Sequence, residues 1–328
     1  MSDDHFTDDL AEAIQRDESL SEEAKNTVIR NLARLKEVKV NILITGATGC
    51  GKSSTINALF NTEKAKVGQG VNPETMDIAK YELGNIILFD SPGLGDGKDA
   101  DARHSKGIAS KLHELDEQGK PLIDLVLVIL DGSSRDLGTS FELISNIIIP
   151  NLGNDKNRLL IAINQADAAM KGRGWNPREN QPSPELVKFL DEKVASTRRR
   201  IKEATGVDVM PIYYAAGYKE RSEKQNPWNL SKLLVHIIRH TKREKRAAFA
   251  QDINRDSEMW QDDDRLENYR EEAKKSMMES IKEGAAVGTV AGEAIGRALG
   301  GEKGAVVGRA IGAVGGAIAG GFKSLFNW

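Results

Sequence analysis

The sequence predicts an α/β fold: a mainly parallel six-stranded sheet with helices on both faces, plus a C-terminal glycine-rich helical hairpin. Three observations carry that expectation. Short, unbroken runs of Ile, Leu and Val recur at 40–45, 86–90, 125–131 and 159–164. Such runs suit strands buried on both faces. Helical stretches lie between them, and alternating strand and helix give a parallel sheet with right-handed crossovers. From Gly284 onward, glycine falls at every fourth position through Gly320.

Taken in order, residues 1–37 form an acidic N-terminal segment and an amphipathic helix at 21–37, with Val28, Leu32 and Leu35 on one face. The α/β domain occupies 38–248. Its first strand, 40–45, runs through a glycine-rich turn into a helix at 53–60. An edge strand at 78–83 precedes the run 86–90. Helices are expected at 139–149, 184–205 and 230–246, and a sixth main strand at 207–214. Residues 249–283 read as a charged helical connector, and 284–328 as a glycine-zipper tail.

The bulk properties narrow the class. The chain has 328 residues, 39% hydrophobic and 29% charged, as expected of a main domain with appendages. A net charge of −3 gives no general pull toward nucleic acid or an acidic membrane surface. Cys50 is the one cysteine, so no intrachain disulfide forms and a reducing cytosol fits. The acidic N-terminus lacks the apolar core of a secretory signal. No charge-free apolar run reaches spanning length. The expected location is cytoplasmic, peripheral at the inner membrane if the tail engages lipid.

The glycine-rich turn carries the first chemistry. Gly46-Ala47-Thr48-Gly49-Cys50-Gly51-Lys52-Ser53 is G-x-x-x-x-G-K-S between a strand and a helix, with Ser54 behind it. Phosphates carry several negative charges and need many aligned donors with little steric obstruction. The glycines allow a tight loop, backbone N–H groups cradle the phosphates, and the helix N-terminus adds a positive dipole. Lys52 is the candidate partner of the β- and γ-phosphates. The Ser53 hydroxyl is a candidate Mg²⁺ ligand. Cys50 sits where the loop contributes backbone; a redox role at a helix N-terminus is the alternative.

Two strand ends extend the pattern. Asp90-Ser-Pro-Gly93 is D-x-x-G: Asp90 can hold Mg²⁺ through water, and the Gly93 N–H can meet a γ-phosphate. Asn164-Gln165-Ala166-Asp167 is N-x-x-D. A carboxylate at Asp167 accepts from both N1–H and the 2-amino group of guanine, a pair that adenine does not offer. A buried carboxylate left unpaired is costly, so rejection of adenine is expected. Asn164 is expected to brace the loop.

With these residues in place, the chain resembles the translation-factor-related class of P-loop GTPases over roughly 38–245. The phrase GATGCGKSSTINALF carries the resemblance. It is similar to the Era-like and septin-like branches and to bacterial 50S ribosome-binding GTPases. The resemblance implies bound GTP or GDP, Mg²⁺ and hydrolysis to GDP and phosphate. It maps the family's switch threonine onto Thr75, as a Mg²⁺ ligand beside Ser53 and a catalytic-site residue with Lys52 and Gly93. It also maps a Ser-Ala base-contact pair onto Ala215-Ala216, where the serine is absent and the backbone N–H still serves. Ras-like members carry a water-orienting glutamine after the D-x-x-G glycine; here that residue is Leu94. A K⁺-recruiting asparagine found in part of the Era-like branch is here Gly49. Slow hydrolysis without a partner is therefore expected, with Lys98, Arg103 and His104 as candidate replacements, or a second copy paired through its G domain. The rival reading is a GTP- or GDP-binding assembly protein that does not hydrolyse.

The tail adds a separate expectation. Glycine in a helix interior costs about 1 kcal/mol relative to alanine, so a regular run of it implies close backbone packing. Every-fourth residues drift by only about 40° per step on an α-helix, which makes one smooth stripe. The expected object is a hairpin turning at 300–304, serving membrane insertion or self-association and partner docking, with a flexible glycine-rich tail as the third reading. Glu293, Arg297 and Arg309 weigh against a simple spanning helix.

Overall fold

The computed structural model describes residues 6–16, 18, 22–60, 66–69, 78–95, 97–220, 223–281 and 283. Thr75 and the whole glycine tail lie outside these described residues.

Two N-terminal helices, α1 (Phe6–Arg16) and α2 (Glu22–Leu35), precede the first strand, β1 (Val40–Gly46). Then come α3 (Lys52–Leu59), β2 (Lys66–Gln69), β3 (Ala79–Glu82), β4 (Ile86–Asp90), α4 (Lys98–His113) and β5 (Leu125–Asp131). Helix α5 starts at Gly138–Glu142 and continues through a π-helical turn, Leu143–Ile148. The domain proceeds through β6 (Leu159–Asn164), α6 (Pro184–Thr205), β7 (Ile212–Tyr213) and α7 (Leu230–His240).

Among the described residues the main sheet has seven strands, in the order β2-β3-β4-β1-β5-β6-β7. Strand β1 pairs in parallel with β4 on one side and β5 on the other, and β5–β6 and β6–β7 are also parallel. The strand expected at 78–83 forms as β3 but is not the edge of the sheet, because β2 pairs antiparallel outside it. Lys-Val-Gly-Gln is too short and polar to register as an apolar run, so the sequence pattern yields six strands and misses the seventh. The strand expected at 207–214 shrinks to two residues, with Pro211, which has no N–H to give a ladder, directly before it. The helix expected at 230–246 stops at His240. There the Arg246 guanidinium donates to the Thr241 carbonyl at 3.0 Å and the Arg239 carbonyl at 3.1 Å, so side-chain donors take over carbonyls at the helix end.

The strand alternation divides the core. Val40, Ile42 and Ile44 of β1 face one layer with α2, α3 and α7; Leu43 faces the other with α4, α5 and α6. The first layer also contains the stretch expected to be a charged connector. Phe249, Ile253, Trp260, Tyr269, Ala273, Met277 and Ile281 are all buried in it. Only Phe249–Asp252 and residues 269–281 are α-helical; the rest is largely irregular with a short 3₁₀ turn. Most of the segment's charges are exposed, while widely spaced apolar residues anchor it over the sheet and Asp264 turns inward to pair with Lys232 at 2.6 Å. Asp252 clamps it: its carboxylate accepts from the backbone N–H groups of Gly84, Asn85 and Ile86 at 2.9, 2.5 and 2.6 Å. The Asn85 amide in turn donates to the carbonyls of Lys36 and Val38. Among the described residues, no helix is long and apolar enough to cross a membrane.

Candidate functional site

The predicted motifs converge at the carboxyl ends of β1, β4 and β6. The loop 47–51 leaves β1 and enters α3, with Gly51 in the left-handed region at φ 87°. A Cβ there would lie 2.2 Å from the Asn164 Nδ2 atom, so both conformation and space demand glycine. Ser53 and Ser54 are exposed in the first turn of α3. The Lys52 ammonium folds back over the loop, 3.3 Å from the carbonyl oxygens of Gly46 and Ala47. Those bonds hold the charge over the space the loop encloses.

The D-x-x-G segment is stitched to the same loop. Thr48 N–H donates to the Leu94 carbonyl at 3.0 Å, and Leu94 N–H to the Gly46 carbonyl at 3.4 Å. A Cβ on Gly93 would lie within 2.7 Å of Thr48 backbone atoms, so only glycine permits this approach. Asp90 ends β4 with Oδ1 buried and without a hydrogen-bond partner. Burial pushes its pKa up, and the Lys52 charge works in the opposite direction. A buried carboxylate oxygen with a free lone pair, near a lysine and an exposed helix-start serine, fits a hydrated Mg²⁺. Ser53 and Asp90 would hold it, and it would supply charge neutralisation to the phosphates.

Asn164 joins the two halves of the site. Its Nδ2 donates to the Cys50 carbonyl at 3.0 Å, and its Oδ1 accepts from the Ala216 N–H at 2.9 Å. One side chain thus ties the glycine-rich loop to the loop after β7. Gln165, at φ 59°, adds a second tie from its Nε2 to the Gly49 carbonyl at 2.8 Å. Beneath them the Tyr214 hydroxyl and the Thr55 hydroxyl lie 2.6 Å apart, fully buried. Asp167 stands at the far end, its pKa raised by burial and drawn back by its own loop amides and the Gln225 side chain. Ala215 is held in a backbone pair with Trp228, its N–H and carbonyl each bonded at 2.9 Å.

Several residues singled out from the sequence take definite positions. Leu94 is buried in the core beside β4 and α4 and offers nothing to a water molecule. The Cys50 thiol is fully buried and pushed up to about 11, so it stays neutral and inert; its contribution is the carbonyl that Asn164 grips. Of the replacement candidates, His104 reaches the switch: its Nδ1 lies 3.2 Å from the Gly93 carbonyl. Lys193 and Gln225 escape a reading of the sequence. Lys193 of α6 donates to the carbonyls of Gly132 and Ser134 and fixes the loop after β5. Lys193 is one of many charged residues on its helix and Gln225 lies in a polar stretch, and no motif singles out either.

This fold and these motifs define a P-loop GTPase G domain. Residues 41–165 match the family model described as 50S ribosome-binding GTPase. Among curated proteins, the chain is 28% identical to protein YfjP of Escherichia coli (strain K12) over 220 residues, covering 65% of this chain and 71% of YfjP. It is 34% identical to the Translocase of chloroplast 126 of Physcomitrium patens over 103 residues, 30% of this chain and 9% of that protein. The matched region is thus a small part of the translocases. Among solved structures, Toc33 from Arabidopsis thaliana in complex with GDP and Mg²⁺ aligns with a TM-score of 0.39 and 16% identity, over 66% of this chain and 87% of Toc33.

Proposed function

We propose that the protein binds GTP with Mg²⁺, hydrolyses it slowly as an isolated chain, and uses its nucleotide state to control the tail at 284–328. The observation that carries the reading is the double grip of Asn164, on Cys50 in the phosphate loop and Ala216 in the base loop. It couples the glycine-rich loop to the loop beside Asp167, which is what a nucleotide spanning a phosphate end and a base end needs. Lys52 and the loop amides take the phosphates, Ser53 and Asp90 take Mg²⁺ with Thr75 joining them, and the Gly93 N–H meets the γ-phosphate. Asp167 and the Ala216 N–H read guanine. The grip of Asp252 on the turn between β3 and β4 ties the segment that leads to the tail onto the G domain at the amino end of β4. The tail then acts by membrane contact or self-association, from a cytoplasmic or membrane-peripheral location.

The test is fluorescent GTP and GDP titration with phosphate-release assays on wild type and Lys52→Ala. Tight, Mg²⁺-dependent binding that GTP competes and ATP does not, lost in the variant, is expected. Binding without any phosphate release, at any enzyme concentration and with or without lipid, would transfer support to the non-hydrolysing assembly reading. Equal affinity of both proteins for GTP sinks the phosphate-loop assignment.

A further inference from the structure

The D-x-x-G turn is held from two sides, and only one of them is the phosphate loop. On the loop side, Leu94 bonds through its backbone to Gly46 and Thr48, and Gly93 lies too close to Thr48 for a Cβ. On the other side stands the first half of α4. The Asp101 carboxylate accepts from the Gly95 N–H at 2.9 Å, and three residues on, the His104 Nδ1 meets the Gly93 carbonyl at 3.2 Å. Residues three apart share a helix face, so one face of α4 makes both contacts. A carbonyl only accepts, so the Nδ1 of His104 carries the proton here. Neither residue belongs to a nucleotide-binding motif.

These contacts fix a stretch of backbone that its own residues leave loose. Upstream the chain is already stiff. Ser91 N–H donates to the Ile44 carbonyl at 3.0 Å, the Ser91 hydroxyl to Thr45 Oγ1 at 2.8 Å, and Pro92 has a locked φ. Gly93 has no Cβ to restrict it, and Gly95 stands at φ 111°, so 93–95 is free to take many conformations unless something holds it. The Gly93 carbonyl is taken by His104, the Leu94 N–H and carbonyl by the phosphate loop, and the Gly95 N–H by Asp101. The Gly93 N–H is left over, with no acceptor among the described residues. The turn is thus pinned around a donor that stays available to a ligand.

We propose that Asp101 and His104 are positioning residues for the terminal phosphate: by holding Gly95 and Gly93 they keep the Gly93 N–H presented beside the phosphate loop, ready to donate to a γ-phosphate oxygen. This rests on the GTP reading above. A donor already oriented makes its bond to a charged oxygen without first ordering a loose turn. GDP has no phosphate at that place, so the grip from α4 acts on triphosphate binding and leaves diphosphate binding alone.

That difference gives the experiment. Affinities for GDP and for the non-hydrolysable GMPPNP, with Mg²⁺, are measured by competition on the full chain. The proteins are wild type, His104→Ala, Asp101→Ala, His104→Asn and Asp101→Asn, with thermal melts to show that each is folded. In each Ala variant the GMPPNP-to-GDP affinity ratio should fall about tenfold, the scale of one hydrogen bond to a charged acceptor, while GDP affinity holds. His104→Asn keeps an amide donor in the place of Nδ1, and Asp101→Asn keeps an acceptor oxygen, so both should retain most of the ratio. An unchanged ratio in both Ala variants overturns the inference. So does an equal loss for both nucleotides, which marks a merely structural role, or Asn variants as impaired as the Ala ones. If wild type binds neither nucleotide, the GTP reading fails, and this inference with it; wild type that binds both, beside Ala variants that share its ratio, isolates the failure here.

Discussion

At the scale of single residues, the site gathers two partly buried carboxylates and a lysine around the glycine-rich loop. Asp90 keeps a buried oxygen without a partner, Lys52 engages its charge with two carbonyls, and Asp167 is half-buried with its pKa raised. The last point fixes a pH dependence. A carboxyl whose folded-state pKa lies above its unfolded value binds protons more tightly when folded. Its contribution to the stability of the nucleotide-free protein therefore falls as pH rises through the unfolded value of about 3.8 and on through the raised one. Guanine pairing needs the charged form, so affinity runs the other way. Preference for GDP over ADP should be constant near neutrality and decline on acidification, starting above the range where an exposed aspartate titrates. Competition titrations across acidic pH check this. A preference that holds unchanged until ordinary aspartates protonate would show that Asp167 is not the group reading the base.

At the scale of elements, the central strands and the loops at their ends are legible in the sequence because their rules are local. Unbroken apolar runs mark doubly buried strands, and G-x-x-x-x-G-K-S demands a strand before it and a helix after it; β1, β4, β5, β6 and the turn into α3 follow. What stays hidden depends on distant partners. Strand β2 has little apolar signal and exists by pairing with β3. The stretch 249–281 reads as a polar connector because its anchoring residues, Phe249, Ile253, Trp260 and Tyr269, are spaced to fit a surface rather than a helical period. The importance of Asp252 cannot be read from its neighbours in sequence, since its three donors are on the far β3–β4 turn. Removing it strands buried N–H groups, at a cost of about 2 kcal/mol. Asp252→Ala should lower the denaturant midpoint accordingly, with little change in GDP affinity for the protein that remains folded. An unaltered midpoint would mean that the clamp adds nothing to the docking of this segment.

At the scale of the whole molecule, the question is whether one chain holds everything that hydrolysis requires. Charge builds on the transferring phosphoryl oxygens while water must be aligned for in-line attack. In the proposed mechanism Lys52 and the loop amides would meet part of that charge, and Mg²⁺ held by Ser53 and Asp90 would neutralise more of it. Water alignment has no evident agent: Leu94 is packed into the core, with its backbone zipped to Gly46 and Thr48, so no rotamer change turns it into a polar group. Gly49 has no side chain to hold a monovalent cation. His104 is within reach of the switch but is engaged with the Gly93 carbonyl at 3.2 Å. A missing arginine-finger equivalent costs about 10³- to 10⁵-fold in rate in related systems. The group must then come from a second copy, from a target, or from a switch arrangement that frees His104. These sources separate cleanly. Dependence on a second copy makes specific activity rise with enzyme concentration, with Na⁺ and K⁺ equivalent. Release of His104 within one chain leaves specific activity flat and makes it fall in His104→Ala. The expected result is the first: slow turnover at low concentration that accelerates as copies meet. Fast, concentration-independent turnover that survives His104→Ala and is abolished by Leu94→Ala would instead show a site complete in one chain and organised by the residue assigned here to the core.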